Sequence, residues 1–559
     1  MKKYIFLFIK ILLLVGFVVF TGIQTKSVSI VGLGLLEFLA IFCLQGLIPG
    51  KNRFLLFLKY LLTSILLFLS LANMTVFLFS GTYLSYLLTS NTENLGALSS
   101  SLPVYAATIV YIVIAAFFPI RCKFENFLPA LFEKLPKLVK KRYFLFTILF
   151  VLSFSAWLLV NFYARLKTPI FAYTTYLQEA DRMSSLRSDN VSSKELRAIE
   201  KKFRKNTIGS GIDTPQNSMN VIVIFTEGLS SEVLDYDGGK LTPNLNQLEN
   251  ETDNFINYFN QTAATYRGVR GQLSSSQQVD NGYENGADKI KQNLTTPLTS
   301  VQSILAGYGY QTAFFNPEPN EEIWSDYVSN LDFQKVLTGS IPSKKNDSYV
   351  SDEKNYQHVF SEAEKLNRSG QQFMLTTYTF GTHLSLDSKT TYGDGSNSLL
   401  NKFYNMDESF GKFWDKFKKS DLANNTMVVF TSDHATFPDA QYRSTFDTGR
   451  GYFLSTIPLM IYYPGVQPQT IDVKCRNSLG LAPTILDLIG VSRAENYFLG
   501  TSLYLDKPTS FEYLTALPPA YFETKGVTEQ DTRMNKDITS HDYKTIDKLL
   551  QFYKLSLNE

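Results

Sequence analysis

Five stretches of mostly apolar residues occupy the first part of the chain: Tyr4 to Ile23, Val28 to Ile48, Phe54 to Ser80, Val104 to Ile120 and Tyr143 to Asn161. No other feature constrains the fold as strongly. Only a helix of roughly 20 residues satisfies its own backbone groups across the hydrocarbon of a bilayer, so each stretch is predicted to be a membrane span. Lys10 and Lys59 fall inside the first and third, near the ends assigned to the cytoplasm, where a long lysine can snorkel to the headgroups.

The loops orient these spans. Lys2 and Lys3 precede the first, Lys51 and Arg53 follow the second, and Arg121, Lys123, Lys134, Lys137, Lys140, Lys141 and Arg142 precede the fifth, whereas Gly81 to Pro103 has no lysine or arginine. Basic loops stay in the cytoplasm. An odd number of spans then puts everything after Asn161 outside the cell membrane. A cleaved signal peptide is the weaker reading of residues 1–23, because no small-x-small site follows them.

The remainder is polar enough to be a water-soluble unit. A net charge of +2 over 559 residues leaves no basic excess, so nucleic acid is not an expected partner. Three cysteines, Cys43, Cys122 and Cys475, stand in unrelated contexts, which excludes a disulfide framework or a Cys-rich zinc site. The expected organisation is a transmembrane domain of five helices (1–161), a linker with interfacial helices (162–217), a catalytic domain (218–510) and a tail (511–559). Aromatics such as Phe162, Tyr163, Phe171, Tyr173 and Tyr176 suit that linker to the membrane surface.

In the soluble part, predicted strands at Asn220 to Thr226, Gln311 to Asn316, Phe373 to Thr379, Met427 to Thr431 and Ile457 to Tyr462 alternate with helices. The helices are predicted at Pro297 to Ala306, Glu353 to Leu366, Ser398 to Lys418 and Ser478 to Ile489. Apolar strands separated by helices make an α/β domain with a mostly parallel sheet, and ligands of such sheets collect at the carboxyl ends of the strands. Three strand ends carry chemistry: Glu227-Gly228, Gly381-Thr382-His383 and Ser432-Asp433-His434. One such residue alone is more often a cap or a structural histidine. Three together, in a chain with four histidines, form a constellation, while His358 and His541 sit in unremarked helical and tail contexts.

The order of Asn-Val-Ile-Val-Ile-Phe-Thr-Glu (220–227), Leu-Thr-Pro-Asn-Leu (241–245), a threonine-bearing loop and Thr-Ser-Asp-His (431–434) resembles the sulfatase-like branch of the alkaline phosphatase superfamily. With the apolar spans ahead of it, the chain is similar to the lipoteichoic acid synthase and phosphoglycerol transferase group. Ser478 to Gly490 resembles the carboxyl-terminal element of the same superfamily.

The resemblance implies that Glu227, Thr265, Asp433 and His434 bind one divalent metal, Mn²⁺ in the first instance with Mg²⁺ or Zn²⁺ as alternatives. It also makes Thr265, in Thr-Tyr-Arg-Gly (265–268), the nucleophile, with Thr262 its rival. Two carboxylates, an imidazole and a hydroxyl make a mixed O/N donor set in which a cation would lower the hydroxyl pKa. His383 would protonate the leaving oxygen or orient the phosphate. A true sulfatase is not expected, because Cys475-Arg476-Asn477 lacks the x-Pro-x-Arg sequence those enzymes need after the modified residue.

The implied reaction moves phosphoglycerol from phosphatidylglycerol, through a phosphothreonine, to a cell-envelope glycan, glycolipid or teichoic-acid-type acceptor. Lipoteichoic acid synthases carry Trp-x-Arg after the Phe-Phe strand. Here the segment reads Trp324-Ser325-Asp326. Either Arg267 or Arg270 then takes over the phosphate contact, or Asp326 meets an amine and the donor is phosphatidylethanolamine. An inactive envelope-polymer binding module is the alternative from another class.

Overall fold

The computed structural model describes residues 5–25, 27–48, 52–85, 102–118, 142–162, 167–186, 193–212, 219–278, 299–338, 349–383, 389–448, 453–517 and 520–526. The chain divides into two compact units, Met1–Asp181 with Pro438–Tyr452, and Arg182–Phe437 with Phe453–Glu559.

The first unit is built on α1 (Ile5–Gln24), α2 (Val28–Leu47), α3 (Arg53–Ser80), α4 (Leu102–Phe117), α5 (Arg142–Phe162) and α6 (Pro169–Leu186). Among the described residues four helices, α1, α2, α3 and α5, are long and apolar enough to cross a membrane. The fourth expected span is shorter: α4 has 16 residues, about 24 Å at 1.5 Å per residue against roughly 30 Å of hydrocarbon. Pro119 follows it in the sequence, and the residue before a proline disfavours helix.

Lys10 and Lys59 are also corrected. Both are 1% exposed. Lys10 donates to the Ala116 carbonyl at 2.8 Å, in the last turn of α4 where carbonyls lack a helical partner, and the Lys59 ammonium lies 5.8 Å from the Tyr60 ring centre. A buried acid inside an apolar helix is costly unless fully satisfied. Glu37 of α2 meets that requirement by accepting from Ser70 Oγ (2.6 Å), Trp157 Nε1 (3.3 Å) and the Ile170 amide (3.0 Å), which ties together α2, α3, α5 and the start of α6.

The second unit begins with α7 (Ser193–Phe203) and holds a sheet of eight strands among the described residues, in the order β4-β3-β5-β1-β6-β7-β2-β8. The strands are β1 (Asn220–Thr226), β2 (Asp253–Ile256), β3 (Gln311–Asn316), β4 (Lys335–Thr338), β5 (Phe373–Thr379), β6 (Thr426–Ser432), β7 (Leu459–Tyr462) and β8 (Gln469–Asp472). From β4 to β6 neighbours run parallel, and β7 is antiparallel to both β6 and β2. All residues of β1, β5 and β6 are buried because helices cover both faces, which explains their near-continuous apolar sequences.

The helices of this unit are α8 (Pro243–Glu249), α9 (Thr265–Ser274), α10 (Val301–Gly307), α11 (Glu322–Ser329), α12 (Asp352–Arg368) and α13 (Ser398–Lys418). The short α14 (Ala440–Thr445) belongs to the first unit, and α15 (Leu481–Ile489) continues a 3₁₀ turn at Ser478–Gly480. The expected tail starts too early. Leu514–Leu517 and Ala520–Glu523 pair as an antiparallel hairpin, β9 and β10, and the Ala516 amide donates to the Gln261 carbonyl at 2.8 Å. Just before it, Glu512 is fully buried because Arg476 Nε donates to its carboxylate at 2.9 Å.

Candidate active site

The sheet order sets the strand ends in a row. In register, Thr379 of β5, Thr226 of β1 and Ser432 of β6 lie side by side, so the residues that follow them emerge together at the carboxyl edge. Glu227, Asp433 and His434 are buried there with their ligand atoms within 4.8 Å of one another. His434 Nε2 is 3.5 Å from both Glu227 Oε1 and Asp433 Oδ2.

Asp433 and His434 are fixed by backbone. Asp433 Oδ1 accepts from the Gly228 and His434 amides at 2.8 and 2.7 Å, and Gly228 adopts φ +52°, a conformation that costs glycine little. The Ala435 carbonyl lies 2.8 Å from His434 Nδ1, which favours the tautomer protonated there and leaves Nε2 facing the carboxylates.

Helix α9 brings the fourth member. Thr265 is its first residue, and its hydroxyl donates to Glu227 Oε2 at 2.8 Å. The preceding Ala264 holds φ +71°, which an alanine adopts only when its surroundings impose it. Arg267 imposes part of this by donating from Nε to the Ala263 carbonyl at 2.7 Å. Close approach of α9 to β6 needs Gly268, whose Cβ would stand 2.1 Å from the Asp433 carbonyl oxygen; Gln272 Nε2 then bonds the Ser432 and Asp433 carbonyls at 2.8 and 3.1 Å. The rival Thr262 is 1% exposed, and its hydroxyl has no partner among the described residues.

The electrostatics show what this cluster attracts. Burial would raise Glu227, but the hydrogen bonds and charge of His434, with His383 and Thr265, outweigh it and hold the carboxyl down at about 2. Burial and then Glu227 push Asp433 up to about 7. Burial disfavours the His434 imidazolium, yet Asp433 and Glu227 carry it up to about 9. The two carboxylates thus draw positive charge into a buried place, and Asp433 Oδ2 has no hydrogen-bond partner among the described residues. An orphaned carboxylate oxygen, a second carboxylate, an imidazole nitrogen and a hydroxyl fit one divalent cation.

His383 stands at the next strand end. Its ring stacks on Phe380 with centres 4.7 Å apart, and burial lowers its pKa, with Glu227 opposing and Lys402 and His434 reinforcing the shift. Lys402, 6% exposed on α13, was not anticipated. Nor was Glu318 after β3, which burial and then the charges of Glu227 and Glu321 push well above the carboxylate range. Applying the strand-end rule to β3 as to the other strands would have found it.

The expected substrate contacts separate. Trp324 is 3% exposed, its ring 5.5 Å from that of Tyr327 and 5.0 Å from that of Tyr378, so it stands in the core and not on an open wall. Asp326 is half-buried two residues further along α11, about 200° around the helix from Trp324. Arg267 is fully buried and serves the Ala263 turn, and Arg270 borders Tyr327 and Asp332.

Residues 219–491 match the family described as Sulfatase. Lipoteichoic acid synthase 2 of Bacillus subtilis is 24% identical over 413 residues, covering 63% of this chain and 61% of that protein. Phosphoglycerol transferase I of Citrobacter koseri is 26% identical over 298 residues, 49% of this chain and 38% of the relative. The chain therefore spans less than two thirds of the length of either.

Two solved structures share the fold at 18% identity and a TM-score of 0.51, each over 66% of this chain. They are a protein in the alkaline phosphatase superfamily from Vibrio parahaemolyticus, 95% covered, and the lipoteichoic acid synthase LtaP from Listeria monocytogenes, 99% covered. Residues 219–491 thus match a sulfatase-family domain and share the fold of these two structures.

Proposed function

From a sulfatase-family domain in a chain with several membrane-length apolar helices, we propose a phosphoglycerol transferase that takes its head group from phosphatidylglycerol and passes it to a cell-envelope glycan, glycolipid or teichoic-acid-type acceptor. The basic loops favour an extracytoplasmic domain. The observation that carries the reading is the 2.8 Å bond from Thr265 Oγ1 to Glu227 Oε2 at the start of a helix. A nucleophile there has an acceptor for its proton and helix amides ahead of it for a phosphoryl group.

In the first half-reaction Thr265 Oγ1, oriented by its hydrogen bond to Glu227 Oε2, gives its proton to neutral His383 and forms a bond to phosphorus, and the bond from phosphorus to the diacylglycerol oxygen breaks. His383 gives that oxygen its proton. In the second half the neutral His383 takes the acceptor's proton, the acceptor oxygen attacks phosphorus, and Thr265 leaves with that proton. A divalent cation held by Glu227, Asp433 and His434, in our reading Mn²⁺, would lower the hydroxyl pKa and offset the phosphoryl charge.

Aspartate at 326 in place of arginine favours the second donor, phosphatidylethanolamine. Offering full-length protein both lipids with labelled head groups decides between them. Preferential transfer from phosphatidylglycerol is expected; preferential transfer from phosphatidylethanolamine, abolished by Asp326→Asn, would overturn the choice.

A further inference from the structure

The first turn of α12 grips the strand end between Glu227 and His383. Asp352, 3% exposed, accepts from the Phe380 and Gly381 amides through Oδ1 at 3.1 and 3.0 Å. One turn on, Asn355 Nδ2 donates to Thr377 Oγ1 and to the Tyr378 carbonyl, both at 2.8 Å. These two side chains hold four of the five residues 377–381, all but Thr379. That residue is held from the other side, since the Glu227 amide donates to its carbonyl at 3.3 Å.

What the grip positions follows from the next bonds. The His383 amide donates to the Phe380 carbonyl at 3.0 Å and its ring lies on the Phe380 ring, while the Thr382 hydroxyl donates to the Glu227 carbonyl. The backbone that Asp352 holds therefore carries the proton-transfer histidine at one end and a cation ligand at the other. The fit is tight. A Cβ on Gly381 would stand 2.4 Å from Asp352 Oδ2, so only glycine lets the amide come close enough to be gripped.

We propose that Asp352 is a positioning residue for the site, acting through the Phe380–Gly381 amides to set both His383 and Glu227. The His383 part rests on the transferase reading; the Glu227 part does not. Partners one bond removed from a cation ligand commonly alter affinity or activity by roughly 10- to 100-fold.

Full-length wild type, D352N, D352A, G381A, H383A and the D352A/H383A double variant are compared in phosphoglycerol transfer and, by calorimetry, in binding of Mn²⁺ alone. D352N keeps an oxygen for both amides and is expected within about threefold of wild type in both assays. D352A should weaken Mn²⁺ binding about tenfold and, in transfer measured at saturating Mn²⁺, lose roughly 10- to 100-fold in kcat with KM little changed and add nothing to H383A in the double variant. G381A attacks the same contact from the other side and should behave alike, which keeps the test decisive if D352A folds poorly.

Multiplying losses in the double variant, or D352N falling as far as D352A, would overturn the link to His383. Mn²⁺ affinity unchanged in both D352A and G381A would overturn the link to Glu227. A wild type that binds Mn²⁺ but transfers no phosphoglycerol would refute the transferase reading, with the Mn²⁺ comparison still deciding the grip.

Discussion

The carboxyl ends of β1 and β6 differ from the end of β3. At the first pair backbone sets the site: Asp433 Oδ1 accepts from two amides, His434 is held through the Ala435 carbonyl, and Thr265 by a helix that only Gly268 allows so close. After β3 the fixing is of another kind. Asn316 Nδ2 reaches Ser325 Oγ at 3.1 Å, and Trp324, the residue expected beside a head group, is stacked into the core. The contrast teaches that the two ends are built differently: one is held through its amides, whereas the other takes its shape largely from side-chain packing.

The largest effect should come from the end held through its amides. Glu227→Gln or Asp433→Asn removes a cation ligand, and transfer should fall about 10³-fold or more. Chelation should abolish activity and added Mn²⁺ restore it in wild type, with neither change in the variants. A variant within tenfold of wild type would break the comparison on that side.

Next in size is Trp324→Ala, which as a core truncation should cost about 3–5 kcal/mol and show as a lower midpoint in thermal unfolding. Asp326→Asn, at a half-buried position, should change stability by about 0.5 kcal/mol or less. A Trp324→Ala protein of unaltered stability and strongly raised KM would return Trp324 to the head-group wall.

A smaller effect is read against pH. Burial raises Asp352 and Asp407 to about 6, although amide hydrogen bonds oppose it in both. The folded state then holds these protons at pH values where the unfolded chain has released them. Their stability contribution is full below the usual value of 3.8 and is lost as pH rises through about 6. Asp407→Asn should flatten that slope, by on the order of 1–3 kcal/mol across the window, in unfolding measured from pH 4 to 7.

Much of this was legible in the sequence, for identifiable reasons. Strands β1, β3 and β5 have the expected bounds because burial makes their apolar runs nearly continuous, and helix α13 because its apolar residues recur at helical spacing. Strands β2, β4 and β8 were not foreseen: each has four residues, and sequences such as Gln469–Asp472 are polar because that strand is largely exposed. The cluster Glu227–Asp433–His434 could be read from three strand ends, since a parallel sheet delivers them to one edge. Asp352 could not, because Ser351-Asp352-Glu353 looks like any helix start until its partners at Phe380 and Gly381 are seen. Lys10 failed for a related reason, as its partner, the Ala116 carbonyl, is 106 residues away.

Thr265 is the proposed nucleophile, so the most direct measurement is the mass of the intact full-length protein after incubation with phosphatidylglycerol and Mn²⁺ without acceptor. Wild type and Thr262→Ala should each gain one phosphoglycerol group, mapped by peptide fragmentation to Thr265 and released when acceptor is added, and Thr265→Ala should gain none. An adduct that persists in Thr265→Ala, or that maps to Thr262, would contradict it.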